Sequence, residues 1–268
     1  MEVQFLYSLI TGIFIGGVAG YLGSLMITKR MALVGDALGH VALPGVALAL
    51  IYGFNVSLGA VPALILGIIL IWLFEMRTKL PMEALTGIVF TSSVAIAFLF
   101  LPGEKVSTAL IGDISQVGFW DTLVSAILCI FTFLLLRKIF SKIILANLSE
   151  DLAKVEHIKV ERYNFIYLVC IAVVVALGIK VTGSLLMGAL VITPAAAARN
   201  FSRNLFQYSF GALLIGGISC LLGILAFKFF GLPAGPLTVL VASLIFLISL
   251  IFKKGYNNKV LKTDTRCL

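Results

Sequence analysis

The sequence predicts an all-α integral membrane protein that forms a single transmembrane domain over residues 1–268. Two features of its composition carry this prediction: 61% of the 268 residues are hydrophobic and only 12% are charged. The mean hydropathy is high, at +1.14, whereas soluble domains carry about 25% charged residues. Such a chain cannot cover itself with a water-compatible surface, so lipid is its main solvent. At roughly 20 apolar residues per crossing, the length accommodates about seven to nine transmembrane helices.

Nine apolar runs along the chain define the expected helices. They cover about 5–27, 33–53, 56–74, 84–102, 119–136, 164–180, 183–198, 205–227 and 236–252. Pro44 lies inside the second run, and proline removes a backbone donor and kinks a helix. We therefore expect this helix to be broken near Pro44.

Basic residues follow every second apolar run, which predicts the orientation of the helices. The clusters are Lys29 and Arg30; Arg77 and Lys79; Arg137, Lys138 and Lys142; Arg199 and Arg203; and Lys253 and Lys254. Cytoplasmic loops of membrane proteins are enriched in lysine and arginine. Nine crossings, with the N-terminus outside and the C-terminus inside, place every cluster and the basic tail 253–268 in the cytoplasm. The net charge of +8 is explained in this way and does not indicate a nucleic-acid partner.

The longest hydrophilic stretch covers residues 137–163, on the predicted cytoplasmic side. Within it, the segment LSEDLAKVEHIKVER (148–162) has apolar residues at helical spacing, which predicts an amphipathic helix. Such a helix either lies on the lipid headgroups or docks a partner at the cytoplasmic face. The residues alone do not decide between these two interpretations.

Asp36 and His40 are the best candidates for chemistry, because ionisable residues inside a membrane run are costly and mark function. Their spacing of four places both side chains on one helical face. Carboxylate and imidazole together suit zinc and other first-row divalent metals. One chain supplies only two ligands, whereas two chains around a two-fold axis supply four. The alternatives are a structural hydrogen bond between two buried polar groups and a proton relay.

Other polar residues and missing motifs narrow the function further. Asp113 and Asp121 flank a polar stretch on the predicted outer side, where they either attract cations or provide ordinary interface polarity. The chain has no GxxxxGK[ST] motif, so we expect ATP chemistry to lie on another chain. It also has no HExxH or GxSxG motif, which argues against hydrolysis within the membrane.

Five segments, in order along the chain, resemble a known family. The segments are MALVGDALGHVALPGVALA (31–49), ALTGIVFTSS (84–93), LIGDI (110–114), GSLLMGALVITPAAAAR (183–199) and LPAGPLTVLVASLIFLISLI (232–251). The resemblance is to the permease subunits of zinc, manganese and iron uptake ABC transporters, and it covers essentially the whole chain. The first and fourth segments are the most specific. The pattern from 148 to 203 looks more like the zinc permeases than the manganese ones.

The resemblance implies partners and roles that composition does not reveal. The permease forms a homodimer in a bacterial-type cytoplasmic membrane, with a separate ATP-binding subunit on the cytoplasmic face and an extracytoplasmic metal-binding protein outside. Asp36 and His40 match the family residues implicated in metal passage. The stretch 148–162 matches its docking loop, which makes Asp151, Lys154, Glu156 and His157 candidate contacts with the ATP-binding subunit. His157 stands where that loop usually carries glycine, a departure that changes the local docking geometry.

We therefore expect a permease without catalytic residues or a resident cofactor, whose cargo is Zn²⁺, with Mn²⁺ or Fe²⁺ as the alternatives. A first rival is a stand-alone proton-coupled transporter that uses Asp36 and His40 as its relay. A second rival is a membrane subunit that does not transport, such as an assembly or sensing scaffold.

Overall fold

The computed structural model describes residues 2–78, 80–112, 114, 117–148, 155–156 and 159–251. Within these ranges the chain is helical and contains no strand. The helices are α1 (Glu2–Thr28), α2 (Ala32–Val41), α3 (Leu43–Tyr52), α4 (Val56–Arg77), α5 (Met82–Phe100), α6 (Gly103–Ile111), α7 (Phe119–Leu148), α8 (Val160–Thr182), α9 (Met187–Phe201), α10 (Leu205–Phe230) and α11 (Ala234–Ile251).

Eight spans among the described residues are long and apolar enough to cross a membrane, judged by length and composition. One of these spans combines α2 and α3. The other seven correspond to α1, α4, α5, α7, α8, α10 and α11. This confirms the predicted all-α membrane fold with seven to nine crossings. The exception among the nine apolar runs is 183–198, which forms the 15-residue helix α9. At 1.5 Å per residue, α9 is only about 22 Å long.

One end of the bundle, which we call the Asp121 end, collects the first turns of α1 and α7, the N-cap of α4 and the last turn of α8. The Tyr7 and Phe119 rings are 5.8 Å apart between centroids. Asp121 accepts a hydrogen bond from Asn55 at 3.2 Å and forms an ion pair with Lys180 at 2.7 Å.

The opposite end, which we call the arginine end, collects the last turns of α1, α7, α9 and α11. Asn147 Nδ2 donates to the Thr28 carbonyl at 3.1 Å, which joins α7 to α1. Asn200 Nδ2 donates to Ser249 Oγ at 2.7 Å, which joins α9 to α11. The first turn of α1 and the last turn of α11 therefore lie at opposite ends of the bundle.

A one-residue interruption at Ala42, two residues before Pro44, separates α2 from α3. Ala42 between the two helices keeps a right-handed helical conformation, with φ −71° and ψ −20°. Its amide still donates to the Leu38 carbonyl at 3.3 Å, whereas Pro44 has no amide to offer the preceding turn. The predicted break near Pro44 is confirmed, and it is a local interruption of one span.

The bundle centres on α1 and α8, the two most buried spans. Their windows are 78% and 72% buried, whereas the window of α5 is only 22% buried. Small residues bring α1 and α10 into backbone contact, because a Cβ on Gly16 would lie 2.6 Å from the Gly216 carbonyl oxygen. Close approach at small residues is the common way in which membrane helices associate.

Candidate functional site

Asp36 and His40 lie on α2, inside the span Ala32–Tyr52. Both side chains are partly buried. His40 is the ninth residue of this 21-residue span, which places it about 12 Å along an axis of about 30 Å. His40 therefore lies well inside the span, whereas Asp36, the fifth residue of the span, lies about 6 Å from its start.

Asp36 is held against the first turn of α9. Gly188 is the second residue of α9, and a Cβ built on it would lie 2.6 Å from both Cα and Cβ of Asp36. Only a glycine leaves room for this approach. The first turn of a helix carries free N–H groups and the positive end of the helix dipole. The Asp36 carboxylate, a group that binds metal ions, therefore lies beside the first turn of α9.

His40 lies between α5 and the turn before α9. Its ring is 5.2 Å from the Phe90 ring of α5, measured between centroids, with an interplanar angle of 59°. One residue earlier, Gly39 packs so closely on the chain that its Cβ would lie 2.7 Å from the Ser184 carbonyl oxygen. Two neighbouring contacts therefore fix the depth of His40 in the bundle.

The turn before α9 is itself tied to α6. Ser184 Oγ donates to the Ala109 carbonyl at 3.0 Å, and the Leu185 amide donates to the Leu110 carbonyl at 3.2 Å. Gly183 has a φ of +79°, a left-handed conformation that favours glycine. Together these bonds start α9 beside Asp36 and Gly39, inside the bundle.

The described residues bring no third metal ligand to this pair. No group of three or more His, Cys, Asp or Glu side chains in that part of the chain is placed to hold a metal ion. One chain therefore offers a carboxylate and an imidazole, which is fewer than the four ligands of a closed tetrahedral site.

At the Asp121 end, the carboxylate of Asp121, the second aspartate of the polar stretch, has three polar partners. Besides Lys180 and Asn55, the Asp121 carboxylate accepts a hydrogen bond from the Gly118 amide at 3.1 Å. It lines a cavity of about 370 Å³ together with Lys180. Because Lys180 neutralises its charge at 2.7 Å, Asp121 is a structural anchor between α7 and α8 and not a free attractor of cations.

Most of the remaining predicted residues lie outside the described residues. These are Asp113, Asp151, Lys154 and His157. Glu156 is described and exposed, as a docking contact requires. The docking role of all of them and the cation role of Asp113 stay predictions.

One further polar cluster, missed in the sequence, lies at the arginine end. Lys29 Nζ donates to Asn164 Oδ1 at 2.6 Å and lies 4.9 Å from the centre of the Tyr167 ring. Burial lowers the pKa of Lys29 to about 8, although the charge of Glu75 acts in the opposite direction. The sequence predicts Lys29 only as a member of a cytoplasmic basic cluster. Its structural neighbours Glu75 and Asn164 lie far from it in the sequence, on α4 and α8.

The fold and the polar pair define a class of protein. A bundle of eight candidate spans that holds an aspartate and a histidine inside a proline-broken span is the arrangement of a polytopic membrane permease.

Comparison with known proteins identifies the family. The ABC 3 transport family matches residues 2–253. The manganese import system permease protein ScaB of Streptococcus gordonii is 32% identical over 246 residues, which are 90% of this chain and 88% of that protein. The high-affinity zinc uptake system membrane protein ZnuB of Buchnera aphidicola is 28% identical over 256 residues, which are 93% of this chain and 98% of that protein.

A solved structure agrees with these relatives. The structure described as PsaBC from Streptococcus pneumoniae in complex with Fab has a chain that superposes with a TM-score of 0.82 at 29% identity, over 98% of this chain and 100% of that chain. The chain belongs to the ABC 3 transport family, and it is a metal ABC permease. The family predicted from the five segments is confirmed, whereas the relatives divide between manganese and zinc, and the preference for zinc stays a prediction.

Proposed function

We propose that this chain is the membrane-spanning subunit of an ATP-driven importer of a divalent transition-metal ion, with Zn²⁺ as the first candidate cargo. The observation that carries this proposal is the carboxylate of Asp36 and the imidazole of His40, one helical turn apart inside the α2–α3 span. Both are ligands for first-row divalent metals. The likeness of residues 148–203 to zinc permeases supports Zn²⁺, and the 32% identity to a manganese permease supports Mn²⁺. Fe²⁺ is the third candidate.

The two residues are suited to a passing ion and not to a stored one. Two ligands hold a metal ion weakly compared with a complete set of four. The positive end of α9 beside Asp36 further weakens the binding of a cation. A site of this kind accepts an ion and releases it again, as transport requires.

We further propose the assembly and orientation that the sequence predicted. Two copies of the chain pair so that each contributes Asp36 and His40 to one path. The four ligands complete the set while the two pairs face each other, and either pair alone holds the ion weakly. The low burial of α5, at 22% of its window, supports a partner helix on that side, next to Phe90 and His40. The arginine end faces the cytoplasm of a bacterial-type inner membrane, following the excess of basic residues in cytoplasmic loops. The N-terminus is then outside and the C-terminus inside.

The remaining partners follow from the missing ATP motif and from the family. A separate ATP-binding subunit docks on the cytoplasmic face, where Glu156 is exposed and where Asp151, Lys154 and His157 belong in sequence. An extracytoplasmic metal-binding protein delivers the ion at the Asp121 end, where Asp113 belongs. ATP binding and hydrolysis on the partner then drive the change of access in this chain.

Uptake into proteoliposomes tests the proposal. The chain is reconstituted with its ATP-binding subunit and metal-binding protein, and uptake of zinc, manganese and iron is compared with and without ATP. We expect ATP-dependent uptake that falls at least tenfold in Asp36→Ala and in His40→Ala. Glu83→Ala serves as the matched control, because Glu83 is an exposed carboxylate in the first turn of α5.

Each outcome has a clear meaning. Zinc uptake supports the full proposal, and manganese uptake keeps the mechanism while overturning the metal. Uptake driven by a pH gradient without the ATP-binding subunit would establish the proton-coupled rival. Intact complexes that move no metal would favour a scaffold role. Undiminished uptake in both variants would remove Asp36 and His40 from the path.

A further inference from the structure

A basic cavity of about 500 Å³ opens at the arginine end of the bundle. It lies between the last turn of α1, the last turn of α9 and the first turn of α10. Its lining residues are Ile27, Thr28, Arg30, Arg199, Ser202, Arg203, Asn204, Leu205 and Tyr208. Three are arginines, and no acidic side chain is among the lining residues that the structure describes. The cavity therefore concentrates positive charge.

The cavity lies at the depth where membrane spans end. The span of α1 ends at Thr28 and that of α10 begins at Leu205, and both residues line the cavity. Arg30 lies two residues after Thr28. Its backbone has a left-handed conformation, with φ of +58°, which is uncommon outside glycine. A cavity at this depth meets the headgroups of the bilayer and not its hydrocarbon.

Tyr208 supplies a second and independent observation. Its side chain is only 6% exposed, and its buried hydroxyl has no hydrogen-bond partner. Buried polar atoms are almost always paired, so a lone hydroxyl next to a cavity indicates a missing partner. A phosphate oxygen in the cavity is an acceptor of the required kind once the Tyr208 side chain turns its buried hydroxyl toward the cavity.

Leu205 lines the cavity, and together with its apolar sequence neighbours, which we call the apolar rim, it has the character of a lipid-facing surface. Phe201, Leu205 and Phe206 are 50%, 45% and 64% exposed, and they flank the arginines in sequence. Large apolar side chains that are exposed where the spans end reach the acyl chains that lie directly below the headgroups. A headgroup in the cavity and its chains along these residues would form one continuous contact.

We propose that this cavity binds the phosphate headgroup of an anionic phospholipid. Arginine recognises phosphate through charge-assisted, bidentate hydrogen bonds. Basic pockets between transmembrane helices at a membrane surface bind anionic headgroups in this way. The apolar rim favours a lipid over an acidic loop of a soluble partner. The inference concerns a site that is separate from Asp36 and His40 and does not depend on which metal is carried.

Thermal unfolding of the purified full chain in detergent tests the proposal. Phosphatidylglycerol, phosphatidylcholine and inorganic phosphate are titrated separately, and the shift in Tm is followed, because a ligand that binds only the folded state raises Tm. The test variant is Arg199→Gln with Arg203→Gln. The matched control is Arg77→Gln with Arg162→Gln, two exposed arginines in the last turn of α4 and the first turn of α8, which do not line the cavity.

We expect phosphatidylglycerol to raise Tm in the wild type and the control, and phosphatidylcholine to have a much smaller effect. Each arginine near the surface contributes about a fivefold change in headgroup affinity. The test variant should therefore need about 30-fold more phosphatidylglycerol for the same shift. Tyr208→Phe, which removes only the unpaired buried hydroxyl, should keep or raise Tm without lipid and need several-fold more of the lipid.

Three results would overturn the proposal. Equal phosphatidylglycerol titrations in the test and control variants would exclude the cavity as the lipid site. Inorganic phosphate that reproduces the whole shift would assign the cavity to a free anion. An unchanged lipid response, combined with failure of the test variant alone to bind the ATP-binding subunit in a separate pull-down, would assign it to a protein partner.

Discussion

Gly188→Ala probes the contact between α9 and Asp36, because the two helices meet there without space for one methyl group. The new Cβ would lie 2.6 Å from Cα and Cβ of Asp36, whereas ordinary contacts begin at 3.4 Å. Since one of these atoms is backbone, the side chain cannot swing aside, and the helices must separate by about 0.8 Å. Overpacking of this kind costs about 1–3 kcal/mol, and alanine returns about 1 kcal/mol of helix propensity.

The expected result is a variant that folds and transports poorly. The free energy of unfolding should fall by no more than about 2 kcal/mol. Metal ligands, however, are placed to within about 0.2 Å, and the shift at Asp36 is about four times larger. Uptake of the transported metal in proteoliposomes should fall at least tenfold.

Gly217→Ala is the matched control in α10. Gly217 is buried in the same bundle, but its Cβ would lie 3.6 Å from the Ile13 carbonyl oxygen, an ordinary contact. This variant should keep normal uptake and equal or higher thermal stability. If Gly188→Ala transports as well as Gly217→Ala, the close contact between Asp36 and α9 has no role in metal passage.

Two further predictions concern ionic groups at the two ends of the bundle. Lys180→Met leaves the Asp121 carboxylate, only 27% exposed, without its cation, and should lower stability by about 1.5–3 kcal/mol. Thermal unfolding checks this, and the double variant with Asp121→Asn should recover most of the loss; a double variant no more stable than the single one would contradict the ion pair. At the other end, burial lowers the pKa of Lys29 from 10.5 to about 8. Between these values the unfolded chain binds more protons than the folded one, so the stability of the wild type should rise from pH 8 to 10.5 relative to Lys29→Met. Parallel stability curves for the two proteins would contradict this.

The sequence was sufficient to predict the fold class, because apolar runs of membrane length have few alternatives. Eight of the nine runs are candidate spans, and Pro44 marks the interruption between α2 and α3. The basic clusters also predicted which helix ends lie together, since the residues near Arg30, Arg199 and Ser249 meet at one end. The depth of α9 was not predictable, because hydropathy gives the length of a run and not the level at which it starts.

The site was predicted in part for a similar physical reason. The spacing of Asp36 and His40 places them on one face of a helix whatever the tertiary structure. Their neighbours Gly188 and Phe90 come from α9 and α5, and only packing brings them there. In the sequence, Gly188 reads as one more small residue of a membrane helix. The role of Asp121 was left open for the same reason, until Lys180 was found 2.7 Å away.

Helix α9 connects the two regions on which the proposals rest. Its first turn holds Asp36 through Gly188, and its last turn carries Arg199 into the basic cavity. It is bonded to α6 at one end through Ser184 and to α11 at the other through Asn200. Because a helix of this length moves as a rigid unit, a shift that changes the setting of Asp36 also moves the arginine end. Coupling between distant sites requires such a continuous element, and α9 provides one between the polar pair and the cavity, beside the short stretch of chain from Arg30 to Asp36.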